Sequence, residues 1–114
     1  MEINRPSVLS LMDDEIRDDV EHLSGVSHER GFARSTYYFV NGLDKDVSVQ
    51  PEASTDESFT DIFDIGAPFA VAVGVKTYQT LTDRHPFIRF SVSTAPAVIP
   101  TSGSFKITAA KNGI

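Results

Sequence analysis

The chain has 114 residues with no cysteine or tryptophan, and its 16 acids outnumber 10 bases for a formal net charge of -6. That length predicts one domain burying roughly two thirds of the surface its unfolded chain exposes. The missing cysteines exclude disulfides and thiolate metal sites, and no stretch approaches the roughly 20 apolar residues of a membrane span.

The charge is lopsided. Residues 1 to 30 hold eight acids against three bases, a net of -5, and the remainder is close to neutral at -1. Such a segment is repelled by phosphate, which argues against nucleic acid or an anionic membrane as partner and favours a basic protein surface. Met1-Glu2-Ile3-Asn4-Arg5-Pro6 lacks the basic and apolar regions of a signal peptide, so a soluble protein without an amino-terminal address is expected.

In chain order, residues 1 to 7 read as a loose tail. Leu9, Met12, Ile16, Val20 and Leu23 then recur in steps of three and four, the stripe of an α-helix with Ser10 as cap and Gly25 as stop. Four aspartates oppose that helix, leaving a strand between about Asp18 and Leu23, or a partly disordered arm, as alternatives. The five apolar residues are the candidate partner-binding set. Residues 1–30 are thus expected to form an acidic arm, helical in part, and residues 31–114 a β-sandwich domain.

Val26 to Arg34 reads as a connector. From Ser35, Tyr37 and Phe39 share one strand face and Tyr38 and Val40 the other, neither charged, as in a buried central strand. Asn41-Gly42 supplies a turn, and Val47, Val49 and Pro51 alternate with Ser48, Gln50 and Glu52, so the two runs are expected to face each other as a hairpin. Pro51 lacks an amide hydrogen and belongs at an edge, a bulge or a strand end. Phe59 to Ile65 fits neither period and suggests a short bulged strand. Phe69, Val71, Val73 and Val75 line one strand face, with Ala70, Ala72 and Gly74 opposite, small enough to admit another layer. Lys76 to Asp83 leads to a turn at His85-Pro86. Phe87 to Thr94 and Ser104 to Ala110 alternate cleanly, with Ile88, Phe90, Val92, Phe105, Ile107 and Ala109 inward. The class is mainly β: an antiparallel β-sandwich or jelly-roll-like barrel with a short N-terminal helix or arm.

Chemistry is sparse. His22, His28 and His85 have no metal-site spacing, and Asp56, Glu57, Asp61 and Asp64 do not match an EF-hand loop. Asp13 to Asp19 fails too, because Arg17 takes a ligand position. No serine sits in a GxSxG elbow, and Gly103 and Gly113 make no phosphate cradle. Facing acids of the kind that hydrolyse sugars come from different strands and leave no local pattern. Tyr37, Tyr38 and Tyr78 would make a sugar platform if exposed, although strand aromatics more often fill cores. The expectation is a non-enzymatic protein with no catalytic residue, cofactor or metal.

The runs DKDVSVQPEASTDESF from Asp44 to Phe59, HPFIRFSVST from His85 to Thr94 and PTSGSFKIT from Pro100 to Thr108 resemble the small β-sandwich domains of tailed-phage and prophage virion proteins, including capsid decoration and tail-associated components. The resemblance spans about Arg34 to Lys111. It implies a structural protein of a virion or similar assembly, in the virion or in host cytoplasm before assembly. Its partners would be further copies of itself and another virion protein, with no nucleic acid and no membrane. A carbohydrate-binding module using the tyrosines is the alternative.

Overall fold

The computed structural model describes residues 7–29, 32–81 and 85–113; of the tail expected over residues 1–7, the first six lie outside them and Ser7 instead begins a strand. The long strands are β1 (Ser7–Asp14), β4 (Phe32–Asn41), β5 (Val47–Ser54), β8 (Lys76–Leu81), β9 (Phe87–Ser93) and β10 (Phe105–Gly113). Short ones complete the order: β2 (His22–Leu23), β3 (Ser27–His28), β6 (Phe63–Asp64) and β7 (Phe69–Val71). One sheet runs β1-β10-β4-β8. The other runs β2-β9-β5-β6, with β3 also on β9 and β7 also on β5. All pairs are antiparallel, so the mainly β sandwich is the observed class.

The core follows the alternation. Phe39, Phe105, Ile107 and Ala109 from one sheet meet Val49, Ile88, Phe90 and Val92 from the other, all buried. Phe90 sits edge-on to Tyr37 at 4.8 Å and to Phe39 at 5.2 Å, and Phe39 meets Phe69 at 5.2 Å. Burying each such large side chain stabilises the fold by about 1.5–3 kcal/mol, and the T-shaped ring contacts set their relative tilt.

The amino-terminal helix does not form. Residues 7–14 are instead an edge strand laid along β10, with a bulge between Ser10 and Met12 that turns both Leu11 and Met12 into the core. Pairing with β10 and burial of Met12 and Ile16 outweigh a helical stripe that four aspartates already weakened.

The expected central hairpin is also corrected, since β4 and β5 lie in different sheets. The link between them is an arch, and Asn41 builds it. Its Nδ2 donates to the carbonyls of Lys45 at 3.0 Å and Val71 at 2.9 Å, and its Oδ1 accepts the Leu43 amide at 2.9 Å. Leu43, 2% exposed, plugs the sandwich end beneath the arch. Gly42 donates to the carbonyl of Ser104 at 2.9 Å, and at Gly103, with φ +83°, an added Cβ would fall 1.8 Å from the Gly42 oxygen. Backbone crosses backbone there with no room for a side chain.

Other boundaries shift for local reasons. The run from Phe69 to Val75 breaks after Val71, because Gly74 at φ +73° turns the chain toward β8 and leaves Val73 and Val75 exposed. The continuous small-residue face therefore does not exist. Only Phe63–Asp64 of the expected Phe59–Ile65 strand is extended, and Phe59 takes a positive φ of 52°. Pro51 falls between the residues of β5 that pair with β7 and those that pair with β6, where no ladder amide is needed.

Candidate interaction surface

The outward side chains of the first sheet follow from its register. Ser10, Thr108, Tyr38 and Tyr78 line up across four strands, beside a second row of Val8, Ala110, Thr36 and Thr80. Neither row contains a charge. The third row, Asp13, Lys106, Val40 and Lys76, brings charges in at one end. Tyr38 and Tyr78 are 46% and 64% exposed, with ring centroids 6.1 Å apart, and the Thr36 and Thr80 hydroxyls share a hydrogen bond of 3.1 Å. A wet sheet face is ordinarily charged and polar, so a patch of Thr, Ala, Val and Tyr is a candidate contact surface.

Among the described residues the sheet ends in two unpaired edges of different character. The β1 edge carries the bulge, Asp13 and Asp14, devices that blunt strand pairing. The β8 edge, Lys-Thr-Tyr-Gln-Thr-Leu, has no proline and one charge. Inside β8 the sandwich opens into a cleft of about 620 Å³ walled by Pro51, Ile65, Pro68, Phe69, Leu81 and Phe90. Among the described residues of its lining, His85 is the titratable one.

The five residues of the expected stripe do not share a surface. Met12 and Ile16 are core, at 5% and 1% exposure, whereas Leu9, Val20 and Leu23 are exposed at separate points along β1, the following loop and β2. Of the three tyrosines, Tyr37 is fully buried and donates its hydroxyl to Ser27 Oγ at 3.2 Å, leaving Tyr38 and Tyr78 outside. Sequence reasoning missed Thr36, Thr80, Thr108 and Ser10. For Thr80 the signal was its place two residues after Tyr78 in Lys76 to Leu81, a run β-prone but lacking apolar alternation.

Several acids and two of the histidines are bound up in local structure. Asp18 meets His22 Nε2 at 2.6 Å, and that hydrogen bond lowers its pKa. Asp56 accepts from the Thr60 hydroxyl at 2.7 Å and amide at 3.1 Å and from Ser54 Oγ at 2.8 Å, which holds its carboxyl below the usual range. Asp44 receives the Thr101 hydroxyl at 2.5 Å and amide at 2.9 Å, and its pKa falls from 3.8 to about 2. His28 lies 3.3 Å from Glu57. Among the described residues no group of three or more His, Asp or Glu side chains could hold a metal ion. At one end of the sandwich Lys111 is buried, its pKa lowered by burial, and donates to the His28 carbonyl, while Ser35 donates to Glu29 at 2.6 Å. Ser27 and Ser35 are both buried in this network.

On the second sheet's outer side Glu52 and Arg89 form a 2.8 Å ion pair, roofed by Phe59 with the guanidinium 4.3 Å from its ring centre. The positive φ of Phe59 puts the ring there.

No protein-family model and no curated protein matches the sequence. Solved structures do match in fold. The PBSX exported protein XepA aligns over 95% of this chain with a TM-score of 0.72 at 13% identity, and PirA over 98% with a TM-score of 0.52 at 9% identity. The chain spans 37% of the length of XepA and 96% of PirA. At these identities the likeness is one of fold alone.

Proposed function

We propose that this domain is a non-enzymatic structural module of a phage virion or similar assembly, a capsid-decoration, head–tail or tail component working through protein–protein contacts. The observation that carries the reading is the fold shared with XepA over nearly the whole chain. The two uncharged rows on the outer face of the first sheet support it, because such a patch is a surface for contact with no groups for bond-breaking. The module acts in the particle, or in host cytoplasm before assembly, on copies of itself and on another particle protein, without nucleic acid or membrane. The test is fractionation of particles induced from the cell that encodes it. The protein should sediment with intact particles, and deleting its gene should alter their composition or infectivity. Recovery only in the particle-free fraction, with particles unchanged by the deletion, overturns the reading.

A second reading, carbohydrate binding, draws on one observation: Tyr38 and Tyr78 expose neighbouring rings on a rigid sheet. A glycan array on which wild type and Tyr38→Ala/Tyr78→Ala give the same signal removes it.

A further inference from the structure

Resting on the assembly reading, we propose that the free edge of β8 pairs with the same edge of a second copy, antiparallel about a two-fold axis through Tyr78. The hydrogen-bond phase of the edge fixes this register. Asn41 donates to the carbonyl of Val75 at 3.1 Å, one step beyond the Val40–Lys76 pair. Bonded and non-bonded pairs alternate in an antiparallel ladder, so Thr77, Gln79 and Leu81 bond back to β4. The amides and carbonyls of Lys76, Tyr78 and Thr80 therefore point away from the sheet. Setting Tyr78 opposite Tyr78 satisfies every one of these groups, with Lys76 opposite Thr80 on each side. Shifting the axis to Gln79 leaves Lys76 without a partner inside the strand. The chosen register also keeps outward side chains outward, and it makes one continuous sheet whose outer face carries Tyr38, Tyr78, Tyr78 and Tyr38 in a row.

Charge selects the second copy for β8 and rejects it for β1. The acids of residues 13–21 lie at and beyond β1, the far edge of the sheet from β8, so pairing through β8 keeps the two acidic segments apart. Pairing through β1 would bring them together. Lys76 meets a neutral threonine and not its own copy, and β8 has neither a proline nor a bulge to block a neighbour.

The chain has no cysteine, so single cysteines report the register cleanly. Tyr78→Cys should cross-link to itself under mild oxidation, and Lys76→Cys mixed with Thr80→Cys should cross-link as a hetero-pair, whereas Ser10→Cys on the β1 edge should not. In analytical ultracentrifugation the wild type should dimerise, and Tyr78→Lys, which sets like charges face to face, should weaken that about tenfold or more with an unchanged melting curve. A wild type that stays monomeric at high concentration, with Tyr78→Cys cross-linking no faster than Ser10→Cys, overturns the proposal. A dimer that persists in Tyr78→Lys overturns it too, while leaving the assembly reading intact. That reading stands or falls separately on whether the protein travels with particles.

Discussion

Glu52 and Arg89 place a full ion pair where little water reaches, with side chains only 11% and 15% exposed. Removing one partner strands the other, so Glu52→Ala or Arg89→Ala should cost about 3–5 kcal/mol in urea titrations. Replacing both, as Glu52→Leu/Arg89→Met, should recover most of that loss. Asp44 makes a different prediction, about pH. Its pKa is lowered on folding from 3.8 to about 2, so the folded state favours the carboxylate. The contribution is fully present above about pH 4 and disappears as pH falls through about 2. Urea midpoints measured from pH 5 to pH 2 should therefore fall more steeply for wild type than for Asp44→Asn, and parallel curves would contradict it. At the arch, Gly103→Ala should cost about 1–3 kcal/mol from its left-handed backbone alone and more from the clash with Gly42.

Among the elements, β1 yields the sharpest expectation. It covers the β10 edge and buries Met12, and the chain beyond it buries Ile16, so deleting residues 1–16 should abolish cooperative unfolding rather than trim a dispensable arm. Ile16→Ala alone should cost about 2–5 kcal/mol, and circular dichroism melts check both. This strand also shows where sequence was readable. Clean alternation identified β9 and β10 with their inward residues, because burial on one face and solvent on the other leaves a period of two. In β1 the bulge at Ser10–Met12 inserts an extra residue, and the resulting spacing mimics a helical stripe. In β8 both faces are polar, since it is an edge with little to bury, so no hydrophobic period exists to find. The choice between hairpin and arch after Asn41 depended on which side chain fills the sandwich end. Leu43 does so, which no local turn signal encodes. The contact face drew residues from four strands and became visible only once the register was known.

For the molecule as a whole, the closing contacts join distant segments: β1 meets β10, and β5 meets β9. Such topology pays loop-closure entropy before its pairings form. Stopped-flow refolding should accordingly fall between about a millisecond and seconds, and a microsecond phase carrying the full amplitude would contradict that. The first and last strands are also neighbours, with Ser7 directly across from Lys111. Residues facing each other in an antiparallel pair sit about 4.5–5.5 Å apart. A polypeptide could thus enter and leave this fold at nearly one point, like a bead hung on a loop. Splicing it into a surface turn of a larger host would spread that turn very little, so the module could be carried by an unrelated scaffold without remodelling it.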